Sequence, residues 1–250
     1  QLKVLGEQVG VEVYTEIVNG NFHMQFYATN VDSVDYLYRF ETTGTGKYDL
    51  WSGEWIGFND MVTAPPTPLE MPAISNYIIP DSNQTIVSSW NCSEKVISVG
   101  NIRNRNSFTD LNATTTFGTF QSGELSPNSS KGPNRHHVIK PDVIATGDWS
   151  LGAGPLWLFH NAAYNSLIDS GGWHVRNGGT SMASPVVSGI AALYFERCKK
   201  ASYDKFKEDL QSSSFSDQFT GAVPNNFCGV GKINALALLQ EQLIPAQPSI

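Results

Sequence analysis

The stretch from Ala183 to Phe195 constrains the fold most, because nearly every side chain in it is small or apolar. The preceding Thr180 or Ser181 can cap a helix, and Pro185 would lie within about the first turn, where a missing N–H costs least. We therefore predict a helix that begins at Ser181. Since such a helix has no polar face, we expect it to be central and buried.

Two short apolar segments, KVISVG at 95–100 and PDVIATG at 141–147, are bounded by glycine or proline and separated by long loops. A continuous β-branched run of this kind is typical of a strand buried on both faces, as in a parallel sheet covered by helices. Further helices are expected near 203–212 and beginning at Asn234. This part of the chain is therefore predicted to be α/β.

Residues 9–52 have a different pattern, in which apolar and polar side chains alternate with a period of two. The turn-forming segments NGN at 19–21 and TGTGK at 43–47 interrupt this pattern, and short gaps favour antiparallel hairpins. We predict a small antiparallel β-sandwich, polar outside and aromatic within. Three groups of side chains should each share one strand face: Val9, Val11, Val13 and Ile17; Phe22, Met24, Phe26 and Ala28; Val34, Tyr36, Tyr38 and Phe40.

The segment TAPPTPLEMP at 63–72 has four prolines in ten residues, which neither a helix nor a central strand tolerates. We place the domain boundary in this segment. Residues 1–70 then form the β-rich domain and residues 71–250 form the α/β part.

The charge pattern argues against a nucleic-acid partner, and the length of the apolar runs argues against a membrane span. A formal charge of -7, with no basic run denser than CKK, argues against a nucleic-acid partner. No stretch approaches the roughly 18 apolar residues that a membrane span needs. Because the N-terminus lacks the layout of a signal peptide, an exported protein would have lost its signal or carry it upstream.

The three cysteines are too few for a disulfide scaffold, and their spacing is not that of metal ligands. We expect Cys92, Cys198 and Cys228 to be thiols, with one Cys198–Cys228 bridge as the alternative.

Ser181 has two interpretations. A serine at the start of a buried helix lies at the positive end of the helix dipole, where free backbone N–H groups can hold a developing oxyanion. Gly178 and Gly179 would let a substrate backbone approach this serine. The helix start alone favours the simpler interpretation, in which Ser181 only caps the helix.

The residues around Ser181 favour catalysis, because GTSMASP at 179–185 resembles the active-serine signature of the subtilisin-like serine peptidases, the subtilases. The resemblance spans about residues 74–240 and does not extend to residues 1–70. Thr146 stands where the family usually has proline. Three further blocks resemble the family in its order: VISVGN at 96–101, SSKGPN at 129–134 followed by IKPDVIATG at 139–147, and GVGKINALALL at 229–239.

This resemblance implies the C-terminal part of a subtilisin-like parallel-sheet domain, a polypeptide substrate and a secreted or cell-surface location. Ser181 would be the nucleophile that attacks a peptide carbonyl, and its own backbone N–H would help to hold the oxyanion. Asp142 would belong to the sheet framework. No cofactor is implied; structural calcium is possible, but no acidic cluster resembles an Asp-x-Asp-x-Asp-Gly loop.

The other members of a catalytic triad have no match in this chain. In subtilases the aspartate and the histidine precede the serine, in Asp-Ser/Thr-Gly and His-Gly-Thr contexts, and neither context occurs here. We expect His136 and His137 to be exposed loop residues and His23 to lie on the polar face of its strand. His174 is close to Ser181 in sequence but is not expected to be the base, and His160 is uninformative. The family's oxyanion asparagine also has no confident match.

We therefore expect this chain to be the C-terminal portion of a longer subtilase, with residues 1–70 inserted into its peptidase domain. The triad histidine and aspartate would lie on a missing upstream segment or on a companion chain, and this chain alone would be inactive. Such a piece would leave sheet edges and apolar surface exposed unless another polypeptide covers them.

The competing hypothesis is a subtilase-like pseudoenzyme whose β-rich part binds a protein or a carbohydrate. Trp51, Trp55 and Phe58 motivate it, although aromatic side chains in a small sandwich are more often core.

Overall fold

The computed structural model describes residues 10–18, 20–29, 40–53 and 61–241. The chain divides into two compact units, an N-terminal unit that runs to Leu50 and a C-terminal unit that begins at Trp51. The boundary predicted at residues 70/71 lies further along the chain, and it stays a prediction.

The described part of the N-terminal unit contains one antiparallel hairpin, formed by β1 (Gly10–Val18) and β2 (Asn21–Thr29). Val13 pairs with Phe26 and Ile17 pairs with Phe22, so the members of the first two predicted apolar groups from Val11 onward share one face of the hairpin, and Val9 lies outside the described residues. The third group lies outside the described residues except for Phe40. The β-sandwich therefore stays a prediction.

The elements of the C-terminal unit follow in chain order: β3 (Val99–Arg103), β4 (Ser107–Thr109), β5 (Thr115–Phe117), β6 (Val143–Asp148), β7 (Ser150–Gly152), α1 (Leu156–Phe159), β8 (Val175–Asn177), α2 (Thr180–Arg197), α3 (Tyr203–Ser213) and α4 (Ala235–Glu241). The helices predicted near 203–212 and from Asn234 are confirmed. Asn234 caps α4, because its Oδ1 accepts a hydrogen bond of 3.0 Å from the N–H of Ala237. Short 3-10 helices lie at Pro72–Asn76, Ser89–Asn91 and Ala162–Leu167.

β3 and β6 pair in parallel, with Val99 opposite Val143 and Asn101 opposite Ala145, which confirms the predicted α/β class. The main core lies between this strand pair and α2, α3 and α4. Its buried members are Val143, Ala145, Ala183, Val187, Tyr194, Phe206, Leu210 and Leu238. Ile102 and Ile144 point to the other side of the strand pair and pack with the buried Cys228.

The Lys-Pro-Asp segment holds the amino end of this strand pair together. The fully buried Lys140 ammonium donates to Asp142 Oδ2 at 2.7 Å and to the carbonyls of Ser93 and Val96. Asp142 Oδ2 also accepts the N–H of Ser98, one residue before β3, at 2.8 Å. This geometry fits the framework role expected of Asp142.

The prediction that α2 is buried on all sides is wrong for this chain. Only Ala183, Val187 and Tyr194 are fully buried, because the sheet and the other helices cover one side of α2. The side chains on the opposite face are exposed; they include Ser181, Ser184, Pro185, Ser188 and Ala192. We call these five residues the outer face of α2.

The expected exposure of a sheet edge is also wrong at residues 101–103. The segment 123–126 hydrogen-bonds along this edge of β3. Ser126 N–H donates to the Asn101 carbonyl at 2.9 Å, and Arg103 N–H donates to the Glu124 carbonyl at 2.9 Å. The chain therefore covers this part of the edge itself.

Cys92, Cys198 and Cys228 are all free thiols. Burial raises the pKa of the Cys228 thiol. Among the described residues, no helix combines the length and the apolar character that crossing a bilayer requires.

Candidate active site

α2 begins at Thr180, one residue before the predicted start, and Gly179 is its N-cap. Gly179 has φ 101° and ψ 171°, a conformation that glycine adopts readily and other residues rarely do. Its carbonyl accepts a hydrogen bond from the N–H of Met182 at 3.0 Å. No side chain caps the helix. The interpretation of Ser181 as a helix cap is therefore wrong.

Ser181 is the second residue of α2, and its side chain is exposed. Its N–H belongs to the first turn, where backbone donors have no partner within the helix. Within the described ranges, neither this N–H nor the hydroxyl forms a hydrogen bond. Ser181 thus presents an accessible hydroxyl beside an available backbone donor.

Pro185 lies in the second turn of α2, not in the first as predicted. It has no N–H to donate to the carbonyl of Ser181, four residues earlier. The helix therefore lacks one backbone hydrogen bond directly behind Ser181.

The carboxyl end of β6 packs directly against the first turn of α2. A Cβ on Gly147 would lie 2.4 Å from Asn101 Oδ1, 2.5 Å from the Gly179 carbonyl oxygen and 2.8 Å from the Ala183 nitrogen. Only glycine allows this approach. This close packing of β6 on the first turn of α2 places Ser181 at the carboxyl ends of the parallel strands, where open α/β sheets bind their ligands.

Asn101 is a residue of this region that sequence reasoning missed. Its side chain is fully buried, and neither Oδ1 nor Nδ2 has a hydrogen-bond partner in the part of the chain that the structure describes. Buried amides are almost always paired. An unpaired amide next to the first turn of α2 is therefore a specific feature of this site.

Asp148, the last residue of β6, is also close to the segment that leads to Ser181. A Cβ on Gly178 would lie 2.4 Å from Asp148 Oδ1, and Asp148 Oδ2 accepts the hydroxyl of Ser126 at 3.0 Å. Gly178 therefore makes room for this carboxylate, in addition to the substrate approach that the sequence predicted. The sequence signal that could have identified Asp148 is its position at the carboxyl end of a buried strand.

Arginine and aromatic side chains follow one another along the same edge. The Arg176 guanidinium lies 5.0 Å from the ring centres of both Phe108 and Trp149. The Trp149 ring meets that of Phe120 edge-on at 5.1 Å, and Arg103 lies 3.8 Å above Phe120. We call these five residues the arginine–aromatic cluster.

None of the five histidines hydrogen-bonds to Ser181. His136 and His137 are exposed loop residues, as predicted, and His160 is exposed after α1. His23 is on the polar face of the hairpin, where its Nδ1 lies 2.8 Å from Glu16 Oε1.

His174 lies next to the carboxylate of Asp169, but that carboxylate is hydrogen-bonded to the backbone of the turn that follows it. Its Nδ1 lies 3.7 Å from Asp169 Oδ2, and its side chain is 57% exposed. Asp169 Oδ1 accepts the N–H groups of Trp173 and His174 at 2.9 and 2.7 Å. Burial alone would raise the pKa of Asp169, but these hydrogen bonds and the nearby His174 outweigh burial and lower it.

The site thus combines an accessible Ser181 hydroxyl with a free Ser181 N–H. No described side chain accepts a hydrogen bond from this hydroxyl, so none is placed to remove its proton. Among the residues that the structure describes, no group of three or more His, Cys, Asp and Glu side chains could hold a metal ion.

A parallel strand pair whose carboxyl ends pack against the start of a helix is typical of α/β folds. The family model described as "Subtilase family" matches residues 67–231. The chain therefore belongs to the subtilase family, a family of serine peptidases.

Curated relatives match parts of the same region. The serine protease AprX of Bacillus subtilis is 33% identical over 175 residues, which are 67% of this chain and 33% of AprX. An uncharacterized protein of Aquifex aeolicus is 30% identical over 131 residues, 52% of this chain and 55% of that protein. This chain therefore spans between a third and just over half of the length of these relatives.

Solved structures also align with the chain. The CspB protease of Clostridium perfringens aligns with a TM-score of 0.45 and 24% identity, covering 64% of this chain and 29% of CspB. The prenylagaramide maturation protease PagA aligns with a TM-score of 0.42 and 22% identity, covering 66% and 48%.

Proposed function

We propose that Ser181 is the nucleophile of a serine endopeptidase and forms an acyl-enzyme with the substrate. The observation that carries this proposal is the position of Ser181 in a chain of the subtilase family. It is exposed on the first turn of α2, at the carboxyl ends of the parallel strands, and its N–H is available.

The reaction follows from this geometry once a histidine is supplied. The base takes the hydroxyl proton as Ser181 Oγ attacks the peptide carbonyl, and the Ser181 N–H donates to the oxyanion that develops. The protonated base then gives its proton to the leaving amine. Water, activated by the same base, hydrolyses the acyl-enzyme and frees the hydroxyl.

We further propose that the histidine and its orienting aspartate come from an upstream segment of the full-length protein or from a companion chain. The lack of a hydrogen bond between Ser181 and any of the five histidines supports this proposal. A serine hydroxyl is a weak nucleophile without such a base.

The outer face of α2 supports the same proposal. No charged side chain occurs from Ser181 to Phe195, although this face is open to solvent. Leu193 and Phe195, which flank this face, are 50% and 38% exposed. A helix face that stays in water normally carries charged residues, so this face is suited to packing against protein. We assign the part of this face that follows Ser181 to packing against the remaining part of the peptidase domain.

The proposal includes a polypeptide substrate, no nucleic-acid partner and a secreted or cell-surface location. The acidic charge balance, -7 overall, supports the exclusion of nucleic acid.

Replacing the nucleophile in the full-length protein tests the proposal. Ser181→Ala should lower peptide turnover by about three or more powers of ten, because the acyl-enzyme can no longer form. Ser184→Ala and Ser188→Ala, on the same face of α2, serve as matched controls and should retain turnover. Turnover of Ser181→Ala at the level of these controls would refute the assignment.

A pseudoenzyme that binds a protein or a carbohydrate is the second candidate. The half-exposed Trp51 favours it, although the Trp51 Nε1 donates to the Thr85 carbonyl at 2.7 Å and is not free for a ligand. Trp55 and Phe58 lie outside the described residues. The encoding gene decides between the candidates: Asp-Ser/Thr-Gly and His-Gly-Thr segments upstream of Gln1 would exclude the pseudoenzyme.

A further inference from the structure

The arginine–aromatic cluster, defined by Arg103, Arg176, Phe108, Phe120 and Trp149, lies on the nucleophile side of the strand pair. Arg103 is the last residue of β3, and Trp149 follows the last residue of β6. Arg176 lies in β8, the strand that leads through Gly178 and Gly179 into α2. All three residues therefore lie at the edge that carries Ser181.

Arg176 has no carboxylate partner. Among the described residues, no carboxylate oxygen lies within 4.0 Å of a guanidinium nitrogen of Arg176, which is held only between the rings of Phe108 and Trp149. Stacking on aromatic faces fixes a guanidinium while it leaves the in-plane N–H donors available. The guanidinium of Arg176 is therefore held in place by the two rings, while no described carboxylate neutralises its charge.

Arg103, the second arginine of the cluster, has a carboxylate partner but keeps an unpaired donor. Arg103 pairs with Glu124 at 3.4 Å, but its Nε is buried and has no hydrogen-bond partner, and the same holds for the Nε of Arg105. At the carboxyl end of β6, Asp148 accepts a hydrogen bond from the Ser126 hydroxyl.

Trp149 is held in a conformation that a bulky residue rarely adopts, with φ 55°. Such a conformation persists only where the surroundings fix it. It places the indole ring between Phe120 and Arg176, so the backbone strain is linked to the arginine platform.

We propose that Arg176, on its platform of Phe108 and Trp149, binds a substrate carboxylate, so that the peptidase prefers peptides with Asp or Glu near the scissile bond. This inference rests on the proposed function of Ser181. Arg176 would bind through charge-assisted hydrogen bonds from its free donors, and it would act on specificity and not on the chemical step.

The position of the acidic residue follows from the chain. Arg176 precedes Ser181 by five residues, and an extended strand advances about 3.3 Å per residue. A substrate carboxylate that reaches Arg176 therefore belongs to a residue within about five positions of the scissile bond.

The experiment uses the full-length protein and pairs of quenched fluorescent peptides that differ only by Glu or Gln. Each position from five before to five after the scissile bond is varied in turn, and mass spectrometry confirms the cleavage site. We expect Glu to be preferred in kcat/KM by about tenfold or more at one position, the effect of one charged hydrogen bond. Arg176→Gln should reduce this ratio to about one and leave kcat/KM for the Gln peptide within about twofold.

Three controls separate specificity from folding and from chemistry. Arg197→Gln, at the far end of α2, should keep the Glu preference, and Arg176→Lys should keep part of it because the charge remains. The rate at which a fluorophosphonate labels Ser181 should be equal in Arg176→Gln and the wild type.

The outcomes separate the two proposals. A wild-type protein that is labelled and cleaves peptides without a Glu preference, or an Arg176→Gln variant that keeps the preference, would overturn this inference alone. A full-length wild-type protein that is neither labelled nor active on any peptide would overturn the proposed function and this inference with it.

Discussion

At the scale of single residues, the two buried asparagines Asn101 and Asn134 differ in a way that has a measurable consequence. Asn134 Nδ2 donates to the Cys92 carbonyl at 2.9 Å, and its Oδ1 accepts the N–H groups of His136 and Val138 at 2.9 and 3.0 Å. Both side chains are almost completely buried, but only Asn101 has no partner for either atom within the described residues.

We predict opposite effects when these two amides are removed from the 250-residue chain. Asn134→Ala should lower the free energy of unfolding by about 2–3 kcal/mol, because it leaves three backbone groups unpaired. Asn101→Ala should change it by less than about 1 kcal/mol or raise it, because an unpaired buried amide is removed. Denaturant titration of both variants measures the difference. An equal loss in the two variants would mean that Asn101 has a hydrogen-bond partner after all.

Sequence reasoning could propose Ser181 as the nucleophile because the signal around it is local. Seven consecutive residues, 179–185, carry the family resemblance. Asn101, Asp148 and Arg176 were missed because their roles depend on contacts between distant parts of the chain, such as Gly147 with Asn101. The interpretation of Ser181 as the N-cap was wrong because Gly179, with its positive φ, is the N-cap two residues earlier.

At the scale of elements, the distance between β6 and α2 depends on one glycine. The site of a Gly147 Cβ is within 2.8 Å of backbone atoms of both Gly179 and Ala183, and backbone cannot move aside as a flexible side chain can. Gly189 offers a comparison within α2, because a Cβ there would meet nothing within 4 Å.

We predict that Gly147→Ala lowers the free energy of unfolding of the 250-residue chain by about 1–3 kcal/mol, because it forces the first turn of α2 away from β6. Gly189→Ala should raise it by about 0.5–1 kcal/mol, because alanine is the better residue in a helix interior. Thermal and denaturant unfolding of the two variants test this contrast. Gly147→Ala as stable as the wild type would show that β6 and α2 do not approach as closely as described.

Local patterns in the sequence predicted β1, β2, β6 and the three longest helices, because strand and helix periods are set by local backbone geometry. The alternation in residues 11–28 indicated the faces of the hairpin. The runs at 95–100 and 141–147 indicated the parallel pair, although β3 begins only at Val99. β4, β5, β7, β8 and α1 were not predicted. The burial of α2 was predicted incorrectly because composition reflects the surroundings to which a helix is suited, and the described residues cover one side of α2 only.

At the scale of the whole molecule, the apolar surface beside the outer face of α2 is the surface that the proposed packing against the rest of the peptidase domain would cover. Leu193 is 50% exposed in this chain. Leu236, in the first turn of α4, is 67% exposed and offers a matched leucine elsewhere on the surface.

We predict that Leu193→Glu changes the free energy of unfolding of the 250-residue chain by less than about 0.5 kcal/mol, as surface substitutions do. In the full-length protein the same change should cost about 2 kcal/mol or more, because it buries a charge where α2 meets the rest of the domain. Leu236→Glu should be nearly neutral in both proteins. A neutral Leu193→Glu in the full-length protein would argue against the packing that we assign to the outer face.

The most direct test of the central claim is the labelling of Ser181 by a fluorophosphonate, followed by intact mass and peptide mapping. We expect a stoichiometric adduct on Ser181 in the full-length protein, no adduct in its Ser181→Ala variant, and slow or absent labelling of the 250-residue chain alone. Rapid, stoichiometric labelling of the 250-residue chain alone would show that it contains its own base and would contradict the account.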